Sequence, residues 1–487
     1  MMNAKSKKRY FMLLMALLLI VLSWWGVAAA RIGLVVRSLE QDNIPMLYVA
    51  PGQREKMPSV LIAHGFAGSK QLMLGYAYVL AHSGYAVMLW DFGGHGANTK
   101  PLEGFSLQHD LNVAYNVLLE QPGVDPTRLA LLGHSMGSGA VMSAAISNSD
   151  RFAATVAISP TYAAVTPQVP HNLQLQAGSW EGSFIANAER ILQQAGGENQ
   201  NLAQGKGRSL VIVPNAEHIT ILLRNASHIT ARKWLDATFN IQTTSNYVDL
   251  RMAWYGLHLL GWLLMLGAVA PILTLPTHLE RSRWLQVRSW GGLLLAPVVA
   301  SGVLTWVSGK GEIQNFGGVQ VGGAVGIWFF VAGITWLLAI FRLPLPKLRS
   351  LGLGIALFIL LWIAFGAMAQ VVWLQWWLIP VRLQLWLILS LLCFPWFLAS
   401  GIAQQKVGIN CRFIWWLGQS IALVGGFFLT LQFVPQLSFI FLLLPLFPLF
   451  TAMFSYVAAM LNEVWIYTLG CALFFGWVIA AAFPLSS

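Results

Sequence analysis

Cysteine is scarce in this chain, with three among 487 residues: Cys393, Cys411 and Cys471. None falls between residues 31 and 250. That stretch can therefore hold neither a disulfide framework nor a thiolate metal set. Charge is scarce as well. Asp, Glu, Lys and Arg make up 10% of the residues against 57% hydrophobic, where a typical globular chain carries about 25% charged residues. Acidic residues nearly vanish after residue 250, since 15 of the 18 lie between Glu40 and Asp249 and only Glu280, Glu312 and Glu463 follow. Residues 31–250 also carry 14 Lys and Arg, leaving that stretch one charge from neutral. The formal +11 of the whole chain thus belongs to its other parts and is no nucleic-acid footprint. There is no internal repeat, no nucleotide-cradling loop and no cluster of metal-ligand spacing, so neither cofactor nor metal is expected; Gly196–Gly207 reads as a polar loop.

What the chain has in abundance is long apolar runs. From Met252 onward they recur at the length of about 20 residues that a helix needs to cross the hydrocarbon of a bilayer. The expected spans are 252–275, 289–308, 318–341, 350–370, 382–401, 413–433, 437–458 and 464–483. Pro435, Pro445 and Pro448 predict a kinked or broken helix in the seventh. At the other end, Tyr10–Ala30 follows Lys5, Lys7, Lys8 and Arg9 and reads as a signal anchor or, with Ala28–Ala30 as a cleavage site, a signal peptide. Three regions result: 1–30, 31–250 and 251–487. With a cytoplasmic amino terminus and alternating helices, the inner connections hold 12 Lys and Arg, among them Arg281, Arg283, Arg288, Arg342, Lys347, Arg349, Lys406 and Arg412. The short outer ones hold only Lys310 and Arg382. That asymmetry places residues 31–250 outside the cytoplasm, periplasmic or extracellular, on a multi-pass protein of the cell membrane. Ionisable groups at depth are few. His258 is read as a helix-contact residue, Trp373, Trp376 and Trp377 as an interfacial belt, and Gln370, Gln419 and Gln432 as uncharged polar groups.

Between 31 and 250, short apolar runs alternate with helical patterns, the mark of parallel βαβ units. Expected strands are 33–38, 45–49, 60–63, 86–90, 128–132, 155–159, 173–176 and 210–213; expected helices are 70–82, 107–121, 137–147, 183–194 and 226–239. Ligand sites in such sheets lie beyond the carboxyl ends of the strands. There, residues 131–139 read Leu-Leu-Gly-His-Ser-Met-Gly-Ser-Gly. Gly133-His134-Ser135-Met136-Gly137 is a nucleophile-elbow pattern with a strand before it and a helix after it. A serine hydroxyl attacks well only when a strained turn exposes it beside a base, and flanking glycines leave room for that turn. Without a base the same residues would be a glycine-rich turn with a surface serine.

With three further pieces the region resembles the α/β-hydrolase family, closest to bacterial esterases and dienelactone-hydrolase-like members. His64-Gly65-Phe66 follows the third strand, Asp91-Phe92-Gly93-Gly94-His95-Gly96 the fourth, and Pro214-Asn215-Ala216-Glu217-His218 the last. The resemblance runs from about Val36 to Phe239 and implies an eight-stranded, mostly parallel sheet beside an all-α transmembrane domain. It also implies the order nucleophile, acid, histidine. His218 is the expected base; His171 precedes a strand and His228 falls inside the closing helix. Glu181 stands after the strand 173–176, where the family usually has Asp. Its alternative role is a helix amino-terminal charge, and Glu217, Glu198 and Asp150 are weaker rivals for the acid. The oxyanion would lie between the backbone N–H groups of Phe66 and Met136. Asp91 and His95 are expected to shape a turn, and His134 to be structural.

Only Pro160 to Asn172 separates the sixth strand from the acid strand, which leaves no room for a self-contained lid. The expected activity is a membrane-tethered serine hydrolase cleaving an ester, thioester or amide bond in a small-molecule or lipid substrate, with the lipid bilayer as its other partner. Two alternatives remain open. One is acyl transfer to an envelope alcohol. The other is a polytopic transport or scaffold protein whose hydrolase-like domain does not turn over, a reading motivated by eight carboxyl-terminal helices where anchoring needs far fewer.

Overall fold

The computed structural model describes residues 4–52, 55–103, 106–273 and 283–486. Arg281, Glu280 and the end of the expected span 252–275 lie outside them. The chain divides into two compact units. One comprises Ser23–Tyr255 with Ala369–Trp377; the other comprises the residues up to Leu22, Gly256–Met368 and Leu378–Ser486.

The first unit is built on eight strands: β1 (Leu34–Gln41), β2 (Ile44–Pro51), β3 (Met57–Ala63), β4 (Ala86–Trp90), β5 (Val124–His134), β6 (Ala154–Ile158), β7 (Leu173–Gly178) and β8 (Arg208–Val213). They lie in the order β1-β2-β4-β3-β5-β6-β7-β8. The β1/β2 and β2/β4 pairs are antiparallel and the rest parallel. Central strands of a sheet covered on both faces are apolar throughout, and every residue of β3 and β4 is buried. The period of two still sorts side chains by face. Leu61, Met88 and Leu131 pack with one cluster that includes Leu111, Leu118 and Val141, while Val60, Ile62, Val87 and Leu132 pack with another that includes Tyr76, Leu80 and Leu235. Those partners come from helices on the two faces. In chain order the unit's helices are α1 (Ala4–Ala29, whose last turns belong here), α2 (Leu74–His82), α3 (Ser106–Leu119), α4 (Met136–Ser147), α5 (Gly182–Gln194) and α6 (Asn225–Phe239). All eight expected strands and all five expected helices of this region form, with ends shifted by a few residues.

In the second unit the prominent helices are α7 (Arg251–Leu273, from Gly256 onward), α8 (Arg283–Ser308), α9 (Gly322–Ile340) and α10 (Leu348–Trp362), then, after α11 (Met368–Val372), which falls in the first unit from Ala369 on, α12 (Pro380–Gln404), α13 (Ile409–Phe433), α14 (Leu446–Leu461) and α15 (Val464–Ala482). A π-turn over Ile363–Ala367 joins α10 to α11. Among the described residues of the chain, eight helices are long and apolar enough to cross a membrane, and a ninth span arises if Pro435–Phe441 and Leu446–Leu461 are taken together across a 58° bend. That bend falls among the three prolines flagged in the sequence. The chain is a membrane protein by this measure. Buried Trp328, Trp336, Trp396 and Trp415 fill the helix core. Arg382 is buried rather than facing solvent; its Nη1 donates to the carbonyls of Ala480 (2.5 Å) and Phe483 (2.7 Å) at the end of α15, where a cation complements the helix dipole.

Candidate active site

The site is built where parallel strands end. Strand β5 runs into Ser135, which takes φ 51° and ψ −119° before α4 begins at Met136. A positive φ on a non-glycine residue costs on the order of 1–3 kcal/mol and persists only where the surroundings enforce it. Here they do. A Cβ at Gly133 would stand 2.3 Å from the Gly137 carbonyl oxygen, and one at Gly137 would stand 2.5 Å from that of His64. Both positions of the elbow motif need glycine because strand, turn and neighbouring loop approach this closely. The Ser135 N–H donates to the Ile158 carbonyl at 2.9 Å, tying the turn to β6.

His218 follows β8 in the loop before α6 and reaches the elbow. Its Nε2 lies 3.1 Å from Ser135 Oγ, and its Nδ1 lies 2.7 Å from Glu181 Oε1. The carboxylate can only accept, so Nδ1 carries the hydrogen and Nε2 presents its lone pair to the Ser135 hydroxyl. Glu181 is 5% exposed. Its second oxygen accepts from the Gly178 N–H (2.6 Å) and from Ser159 Oγ (2.9 Å), so both carboxylate oxygens are held and one is aimed at the imidazole. Phe184 stacks on the His218 ring with centroids 4.4 Å apart. The longer reach of Glu, compared with the Asp more common at this place, is absorbed by the short turn between β7 and α5.

The other candidates fall elsewhere. His228 is buried in α6 with Nε2 2.7 Å from the Leu222 carbonyl. Glu217 accepts from the N–H groups of Ile219 and Thr220 and so caps its own loop. Glu198 accepts from the Leu210 N–H. Asp91 organises the turn after β4: its side chain accepts from the backbone N–H groups of Lys70 (2.8 Å) and Ala97 (2.9 Å) and forms a buried ion pair with the Lys70 ammonium. His95 Nδ1 contacts the Gly93 carbonyl at 2.8 Å. The loop of Phe66 lies against the elbow, since a Cβ at Gly65 would stand 3.1 Å from Ser135 Cβ. Met136, as the first residue of α4, places its N–H at a helix amino terminus, where such groups point outward to an anion.

Several supporting residues had no sequence signal. Ser159 is the residue after β6, a place worth inspecting, but nothing local marks it as a partner of Glu181. His134 Nε2 donates to the His218 carbonyl at 2.9 Å, fixing the loop that carries the base. Burial holds the His134 imidazole well below its usual pKa, and the neighbouring His218 lowers it further. His64 is likewise lowered by burial; its Nε2 accepts from the Phe92 N–H (3.1 Å), so its Nδ1–H donates to the Gly65 carbonyl (2.8 Å). Both imidazoles are neutral struts.

Residues 54–232 match the family model described as serine aminopeptidase, S33. With this match, the sheet order and the elbow describe one fold. The region from β1 to α6 has an α/β-hydrolase-type fold. Uncharacterized protein YfhR of Escherichia coli O157:H7 is 26% identical over 179 residues, covering 33% of this chain and 63% of its own length. An uncharacterized protein of Mycobacterium tuberculosis is 33% identical over 89 residues, covering 18% of this chain and 32% of its own. The chain therefore spans less than two thirds of the length of these curated relatives. Among solved structures, a membrane phospholipase A described as a bacterial virulence factor aligns with 47% of this chain and 93% of its own, at 17% identity and a TM-score of 0.36. A dienelactone hydrolase from Anabaena variabilis aligns with 41% and 95%, at 21% identity and a TM-score of 0.31.

Proposed function

We propose that this α/β-hydrolase domain is a membrane-tethered serine hydrolase that cleaves a carboxylic ester, thioester or amide bond through an acyl-enzyme. The observation that carries the reading is the unbroken hydrogen-bonded run from Ser135 Oγ through His218 to Glu181, over 3.1 and 2.7 Å. In the first step the Ser135 Oγ–H proton passes to His218 Nε2 as Oγ bonds to the acyl carbon. The carbonyl π electrons move onto oxygen, which the Phe66 and Met136 amides receive. Collapse of that adduct breaks the bond to the leaving group, which takes the proton from His218. Water then repeats the sequence and frees the acid. Glu181 stays ionised throughout and stabilises the imidazolium. Each amide donor of such an oxyanion hole contributes about 3–4 kcal/mol in the transition state.

The tally of basic residues in the connections supports an outward-facing hydrolase domain. The amphiphilic esters of an envelope or an incoming small ester are its substrate classes. The test is a panel of short-chain esters, thioesters, amides and lipid esters offered to the full-length protein in detergent. Turnover that disappears in Ser135→Ala supports the reading; turnover of none of these bonds by folded wild type contradicts it.

A further inference from the structure

The segment Ala369–Trp377 begins in the last turn of the membrane-length helix Leu348–Val372 and leads toward the next, Pro380–Gln404, yet it belongs to the compact unit of the hydrolase domain. Its own glutamines organise it. Gln370 Oε1 accepts from the N–H groups of Trp376 (2.6 Å) and Trp377 (3.1 Å), and Gln370 Nε2 donates to Gln375 Oε1 (3.1 Å). Gln375 Nε2 donates to the Trp377 carbonyl at 2.9 Å. Trp376 is fully buried, so only Trp377 of this pair has the exposure of an interfacial aromatic. Arg251 holds the other end of the segment. Its Nη1 donates to the Val371 carbonyl (3.4 Å), its Nε and Nη2 form two 2.7 Å bonds to the Asp249 carboxylate, and its guanidinium covers the Tyr78 ring at 4.0 Å.

Two contacts lead from this strap into the domain. Gln71 Nε2 donates to Gln375 Oε1 at 2.6 Å, and the Gln375 N–H donates to Ser69 Oγ at 3.3 Å. Both are buried. Ser69 and Gln71 end the turn that begins at His64 and contains Phe66. That turn closes on itself through the Gly68 N–H and the Gly65 carbonyl (3.1 Å), and the Lys70–Asp91 pair pins it from the β4 side. At its start, Gly65 is packed so that a Cβ there would stand 2.8 Å from His134 Nδ1 and 3.1 Å from Ser135 Cβ. The turn is gripped between the nucleophile and the strap. Residues 65 and 66 thus lie within the same short, hydrogen-bonded turn as Ser69.

We propose that Gln375 is a positioning residue for the oxyanion loop: through Ser69 and Gln71 it sets where the Phe66 amide stands relative to Ser135. The proposal rests on the reading above that Ser135 is the nucleophile. It makes the connection between two membrane helices a part of the hydrolase's acyl-transfer geometry. Oxyanion contacts strengthen only as charge develops, so their misplacement lowers kcat and leaves ground-state binding alone.

The experiment compares full-length wild type, Gln375→Met, Gln71→Leu and Gln375→Glu on the best ester found. A misplaced catalytic contact costs up to about 100-fold in rate. Gln375→Met is expected to lower kcat by about 10- to 100-fold with KM within about two-fold. Affinity for a trifluoromethyl ketone, which forms a tetrahedral adduct on the serine, should fall in parallel. Gln375→Glu keeps the acceptor for Gln71 and recovers most of the rate. The pair Gln71→Leu/Gln375→Met loses no more than the worse single variant, because the Gln71–Gln375 bond is already lost in each. Gln71→Leu carries the test alone if Gln375→Met does not fold. Wild-type kcat in these variants, or a loss confined to KM, overturns the inference while a Ser135→Ala loss leaves the parent reading intact. Turnover that survives Ser135→Ala overturns both.

Discussion

The two units use the same polar residue types to opposite ends. In the membrane unit, many serines, threonines and glutamines close on one another or on carbonyls. Ser301 Oγ pairs with Thr430 Oγ1 (2.9 Å), Ser420 with Thr451 (2.8 Å), and Ser400 donates to Gln419 Oε1 (2.7 Å) while touching the Tyr467 hydroxyl (2.9 Å). These groups answer the need of an apolar surround to leave no polar atom unpaired. At the carboxyl rim of the sheet, the polar groups instead form a directed series. Glu181 is satisfied by Gly178 and Ser159, His218 by Glu181 and His134, and what remains unspent is aimed at Ser135, on the strained turn. Polar content therefore says little about chemistry. Positive φ at non-glycine residues occurs in both units, at Val321 (64°) as at Ser135 (51°), so it is the direction of the hydrogen bonds that marks the site.

The sharpest way to break this contrast is to remove side chains from each series. Ser135→Ala and His218→Ala should each lower kcat by on the order of 10⁶-fold, and Glu181→Gln by about 10⁴-fold, since such residues act as a unit. Gln419→Leu in the membrane unit should leave kcat within about two-fold. Steady-state ester hydrolysis measures all four, and a large loss in Gln419→Leu would erase the distinction between the halves. Next in size is Ser159→Ala. A hydrogen bond to a charged group is worth about 1.5–3 kcal/mol, so kcat should fall by about 10- to 100-fold with substrate binding unchanged.

A pH titration probes the hydrolase half in particular, because the buried imidazoles His64, His134 and His228 lie there. Burial lowers the pKa of His64, His134 and His228 below the ordinary 6.5. The unfolded chain then takes up protons that the folded chain refuses, so stability falls as pH drops below 6.5 and is fully kept above it. Thermal unfolding followed from pH 7.5 to 5 should show the domain's Tm falling, with a shallower slope in His134→Gln. A flat profile would mean that these groups are protonated without cost. The smallest effect is expected in the membrane unit, where Thr430→Val should cost about 0.6 kcal/mol in stability in detergent.

Much of the hydrolase fold is legible in the sequence because its signals are local. Period-two apolar runs, helix faces and the glycines of the elbow each lie within a dozen residues. The order of the motifs puts Ser135, Glu181 and His218 after β5, β7 and β8 on one rim. What escaped is what needs the third dimension. Ser159 joins Glu181 only because β6 and β7 are neighbours in the sheet. Lys70 opens the expected helix 70–82, and only the fold brings it onto Asp91. Gln375 meets Gln71 across 304 residues of sequence, with no periodicity to link them. Arg382 reads as an outer-loop charge in the sequence but is folded onto the end of α15.

The central claim is that this geometry makes Ser135 a strong nucleophile. A fluorophosphonate applied to the full-length protein, followed by peptide mapping by mass, tests it most directly. The expected result is one adduct, on the peptide carrying Ser135, that is lost in Ser135→Ala and slowed sharply in His218→Ala. Folded wild-type protein that stays unlabelled, or an adduct on any other serine, would contradict the account.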